Sequence, residues 1–300
     1  MMQLAEKHRK EYDSFGPWMW EIKNNDDIPD LFLNDFTYSD SIEIAFKIPR
    51  NVERRDTRPG ADLYDCIVAI YVDSVLILQR VNTHVERREV MRRDILAVGR
   101  FSDLLYGEFF LYLPDTTISI PFNTVSENII AIAIHLLRAS HLDGSRSAPD
   151  GNEEQSGELS ILFQNLLQYA RKEESLRFLA HQRPIRVIRQ KNHWYDYILS
   201  WFPRRIQESL FLAASQELIL IQRIPQIVYD LNDRFGYMQT YIPFCNVTAI
   251  ERVQNPVYQG IDTLSLCFGN QKLIAQVERH FLGSAGKALT ALIPVRENLY

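Results

Sequence analysis

Two stretches far apart in this chain carry the same hydrophobic order. When Cys66 is set against Ser209, Ile67-Val68-Ala69-Ile70 falls on Leu210-Phe211-Leu212-Ala213 without a gap, and Val75-Leu76-Ile77-Leu78-Gln79-Arg80 falls on Leu218-Ile219-Leu220-Ile221-Gln222-Arg223. Each half therefore reads as strand, short polar turn, strand, ending on the same Gln-Arg pair. Further along, Asp94-Ile95-Leu96-Ala97-Val98 falls on Asn246-Val247-Thr248-Ala249-Ile250, an offset that insertions in surface loops explain. A hairpin follows in both halves. In the first, Phe109 to Leu113 and Ile118 to Ile120 flank a Pro-Asp-Thr turn; in the second, Leu264 to Phe268 and Leu273 to Ala275 flank a Gly-Asn turn.

The first half closes on a predicted helix, because Thr124-Val125-Ser126-Glu127 has capping-box spacing and apolar residues run through Ile129, Ile130, Ile132, Ala133, Leu136 and Leu137. The second half closes on a weaker helical pattern over 285–292. Between the halves, 142–157 is rich in Gly, Ser, Asp and Glu and reads as a flexible linker. The expected organisation is a first domain over 1–141 with its core at 61–141, and a second over 158–300 with its core at 209–292. Glu158 to Ala180 reads as a helix that carries Leu159, Leu162, Phe163, Leu166, Leu167 and Ala170 on one stripe. The aromatic segment Phe15-Gly16-Pro17-Trp18-Met19-Trp20 reads as buried, and Ser41 to Ile48 as a strand.

The 300 residues suit two domains of ordinary size, and 46% hydrophobic residues can supply two cores. With 33 Lys and Arg against 38 Asp and Glu, the net charge of −5 opposes nucleic-acid binding, except through a local patch. The start lacks the apolar run of a signal peptide, and Cys66, Cys245 and Cys267 suggest no disulfide framework. The expected location is cytoplasmic, with a peripheral position at the membrane as the alternative.

This order of hairpins followed by an amphipathic helix resembles the pleckstrin-homology-like family, its bacterial branch above all. The resemblance implies an α+β fold of two partly open β-barrels or sandwiches, each closed by a C-terminal helix. It also implies a tandem-domain adaptor that binds a protein or peptide. Lipid-binding members carry basic residues in the first hairpin turn, whereas Val72-Asp73-Ser74 and Ser215-Gln216-Glu217 here each hold an acid and no base. A phosphorylated headgroup would meet repulsion there.

Two Val-Glu-Arg-Arg strings give candidate partner-binding residues, Arg54 and Arg55 in one, Arg87 and Arg88 in the other, with Arg92 and Arg93 following. Acids interleave with them, so a salt-linked surface or an exposed edge strand is the competing reading. The segment from His193 to Arg205 holds Trp194, Tyr195, Tyr197, Trp201, Phe202, Arg204 and Arg205. It suits either a buried inter-domain core, the favoured reading, or an anionic membrane surface. No Gly-x-Ser-x-Gly, P-loop or dinucleotide fingerprint occurs, and the 7 histidines show no metal-ligand spacing, so neither a catalytic group nor a cofactor is expected. An enzyme with a site between the domains is the third reading.

Overall fold

The computed structural model describes residues 2–139, 159–161, 163–166, 177–190, 194, 201, 203–214, 216–229, 236–279 and 295–297. Most of its strands pair antiparallel, a few helices accompany them, and among the described residues no sheet closes into a barrel. The fold class is therefore α+β. The expected linker, 142–157, and the expected second closing helix, 285–292, lie outside the described residues.

Two compact units are present. The first comprises 1–95, 105–109 and 120–140; the second comprises 96–104, 110–119 and 141–300. These units differ from the two halves of the sequence, because the second takes two segments from the first half.

In unit 1, helix α1 (Met2–Ser14) precedes the short strand β1 (Trp20–Glu21), and then β2 (Ile42–Pro49), β3 (Tyr64–Tyr71), β4 (Ser74–Val81) and β5 (His84–Met91) complete a five-stranded sheet in sequence order. Strands β2, β3 and β4 read as nearly continuous apolar runs because both their faces are covered. One face sets Ala45, Ile67, Ala69, Leu76 and Leu78 against Phe15, Ile22, Ile28, Phe32 and Phe36. The other buries Phe46, Val68, Ile70, Val75 and Ile77, and the predicted closing helix, α2 (Glu127–Ala139), lies against β2. Ile130, Ala133, Ile134 and Leu137 form its buried stripe. Trp18 and Trp20, expected inside, remain partly exposed, while Phe15 and Met19 are buried.

The chain then continues through β6 (Ala97–Asp103), β7 (Tyr106–Tyr112) and β8 (Thr117–Asn123). After the second group of strands begins, β9 (Arg177–Gln182), β10 (Ile185–Arg189), β11 (Arg204–Ile206), β12 (Ser209–Ala213), β13 (Glu217–Arg223), β14 (Ile227–Tyr229) and β15 (Tyr237–Pro243) follow. The last strands are β16 (Val247–Gln254), β17 (Tyr258–Gln259), β18 (Ile261–Phe268), β19 (Gln271–Glu278) and β20 (Val295–Glu297). A seven-stranded sheet has the order β8-β7-β6-β15-β13-β12-β9, with β6 antiparallel to β15 from Val98 opposite Tyr241 to Ser102 opposite Tyr237. The residues expected to end a helix at 180 instead form β9. Arg177–Gln182 supplies the outer strand beside β12, so tertiary pairing overrides the helical spacing.

The two hairpins aligned by sequence share one register. Cys66 faces Gln79 and Ile70 faces Val75 in β3–β4, while Ser209 faces Gln222 and Ala213 faces Leu218 in β12–β13. Each hairpin also has a strand before it and a strand after it: β2 and β5 flank the first, β9 and β15 the second.

Candidate functional site

A cavity of about 930 Å³ opens in unit 1 at the end of the sheet face that α2 covers. Its floor is one rung of the ladder, since Ile48 pairs with Cys66 and Cys66 pairs with Gln79. Strand β2 ends in Pro49, which has no N–H to continue a ladder, and the chain leaves the sheet through Asn51, Val52 and Glu53 to reach Arg54 and Arg55. That departure makes one wall. Phe15 to Pro17, at the corner after α1, makes a second, and Leu105, Tyr106 and Pro121 to Asn123 make a third. The size falls within the range of ligand pockets, roughly 300–1,000 Å³, and apolar side chains share the lining with charged and amide groups.

The charged groups of this cavity are engaged with one another and with their neighbours. Arg54 pairs with Asp13 at 3.3 Å and lies 4.9 Å over the Tyr12 ring, while Arg55, whose side chain is 78% exposed, pairs with Glu53 at 2.6 Å. Arg50 donates to the Asp62 carbonyl at 2.9 Å, and Asp65 accepts from Arg80 Nε at 2.7 Å. Exposed pairs such as Arg55–Glu53 contribute about 0–1 kcal/mol, so an incoming carboxylate can replace one at little cost. At the floor, burial first, and the Asp65 charge second, push the Cys66 thiol up to about 12, which keeps it protonated and unreactive.

The remaining candidate arginines are not gathered there. Arg87 sits at a separate depression with Glu89, and donates to the Asp35 carbonyl at 3.1 Å. Arg88 and Arg93 are exposed, Arg88 on β5, the outer strand of its sheet, as the edge-strand reading expected. Arg92 must be removed from the candidates. Its side chain is only 8% exposed and its guanidinium is bonded to Glu43, so burial beside that carboxylate at the 3-10 turn after β5 keeps it out of a partner's reach.

Trp194 and Trp201 correct the favoured burial reading, because they are 77% and 83% exposed. Tyr195, Tyr197 and Phe202 lie outside the described residues. Arg204, by contrast, is held inside unit 2: it donates to Tyr258 Oη at 3.0 Å and Tyr229 Oη at 2.8 Å, and stacks 4.4 Å over the Tyr229 ring. Arg205 lies beside it in β11, paired opposite Val228 and Arg186.

The described residues of unit 2 include an acid–histidine pair of the kind that catalysis uses. His181 Nε2 lies 2.9 Å from Glu208, and the Ser160 N–H donates to the same carboxylate at 3.0 Å. Burial raises the Glu208 pKa, but the bonds from His181 and Ser160 outweigh it and leave the group below its usual value. Both side chains are sealed from solvent, which makes the pair a structural tie between β9 and the start of β12. Among the described residues no group of three His, Cys, Asp or Glu side chains could hold a metal, and no helix is long and apolar enough to cross a membrane.

Sequence reasoning found Arg54 and Arg55 but missed Phe15, Cys66, Gln79, Tyr106 and Phe122 as their neighbours. Only the aromatic density near Phe15 signalled part of that wall. The chain matches no protein-family model and no curated protein, so the cavity's own chemistry is the basis for its function.

Proposed function

We propose that this chain is a non-catalytic adaptor on a tandem pleckstrin-homology-like plan, and that the arginine-rimmed cavity of unit 1 binds a segment of a protein partner. The cavity carries this reading: an apolar floor and a basic rim lie together at the end of a rigid sheet, where a partner's apolar and acidic groups can be bound side by side. The shared register of β3–β4 and β12–β13, and the helix α2 after the first set of strands, support the tandem plan. A photo-crosslinking residue at Val52 should capture a discrete partner in native lysate, and the double substitution Arg54→Glu with Arg55→Glu should abolish the adduct. A crosslinker at Ile132, exposed on α2, serves as the control. Identical adducts from both positions, insensitive to the arginines, would refute the assignment.

A second reading, a peripheral membrane module, is favoured by the exposure of Trp194 and Trp201, since indoles at an interface suit the headgroup region. It requires salt-sensitive co-sedimentation with phosphatidylserine vesicles that Trp194→Ala with Trp201→Ala removes.

A further inference from the structure

The cavity of unit 1 separates its chemistry by depth. Phe15, Ile48, Cys66 and Phe122 are buried around the floor, whereas Arg54 and Arg55 are exposed at the opening. Three side-chain amides, Asn51, Gln79 and Asn123, also line it. Asn123 uses Oδ1 to accept the Val125 N–H at 3.1 Å, and its Nδ2 is a separate donor. Three guanidinium groups, Arg50, Arg54 and Arg55, meet two carboxylates, Glu53 and Asp65, in the lining, and Arg80 already engages Asp65. The site is thus locally positive in a chain of net charge −5.

We propose that the occupant is the C-terminal end of a partner protein, with an apolar last side chain on the floor and its free α-carboxylate at Arg54 and Arg55. This rests on the binding reading above and names its ligand. An apolar floor beside a basic rim sets one apolar side chain and one carboxylate close together, as the last residue of a chain carries them. Guanidinium groups at the opening suit a carboxylate, which they bind in bidentate geometry. The lining amides Asn51, Gln79 and Asn123 favour a peptide over a fatty acid, because each can pair with a backbone N–H or C=O and an acyl chain offers them no partner.

The test uses the full-length protein and fluorescein-labelled octapeptides ending in Leu or Phe, each as the free acid and as the C-terminal amide, read by fluorescence polarisation. The free acids should saturate, the amides should bind at least ten-fold more weakly, and Arg54→Gln with Arg55→Gln should reduce the free acids to the level of the amides. Circular dichroism confirms that this surface variant is folded. Equal affinity for acid and amide would overturn the terminal-carboxylate proposal. So would binding of dodecanoate to the arginine-rimmed cavity in preference to every peptide. If the Val52 crosslink and its arginine dependence persist in that case, only the ligand assignment falls; if they vanish as well, the adaptor reading falls with it.

Discussion

Cys66 shows how a residue's position decides its chemistry. Its thiol is buried between Ile48 and Gln79 on the cavity floor, and ionises near 12 rather than 9.0. The unfolded chain would release that proton near 9.0. The corresponding stability is whole below that pH and is lost between 9.0 and about 12, where the unfolded state binds fewer protons. The unfolding midpoint of the wild type should therefore fall more steeply above pH 9.0 than that of Cys66→Ala, measured by denaturant titration at each pH. Cys245 is the exposed cysteine, so a thiol reagent at pH 8 should modify it quickly and reach Cys66 only upon unfolding. Rapid modification of Cys66 in the native protein would show that burial does not hold its thiol protonated.

Strand β5 is the element whose sequence looked most like a binding surface. His84 to Met91 alternate charge along the outer edge of the five-stranded sheet, with Glu86 opposite Gln79 and Arg88 opposite Ile77. Charged side chains on such an edge oppose pairing with another copy. Replacing Glu86 and Arg88 together with Val should produce concentration-dependent association, detected by light scattering, with little change in the monomer's secondary structure. A variant that stays monomeric at high concentration would assign those charges another purpose. The same logic separates the two Val-Glu-Arg-Arg strings: one lies on a loop wall beside a cavity, the other on an edge strand, although their sequences are alike.

At the scale of the molecule, β6 from the first half lies within unit 2 and pairs with β15. A cut inside 142–157 consequently removes three strands, β6, β7 and β8, from the seven-stranded sheet. The isolated fragment 158–300 should fail to unfold cooperatively, whereas co-expression with 1–141 should recover a soluble complex that co-purifies. Two fragments that each unfold cooperatively alone would restore independent halves.

The sequence by itself determined the hairpins β3–β4 and β12–β13, the turn chemistry between later strands and the presence of helix α2, because these depend on neighbours within a few residues. Arg54 and Arg55 were legible as a basic pair for the same reason. Only the tertiary structure decided that Arg92 is sealed against Glu43, that 177–182 is a strand, and that Phe15, Cys66 and Phe122 meet beneath the arginines. Those outcomes depend on residues distant in the chain, whose pairing follows from the burial of whole faces and leaves no local periodicity to read.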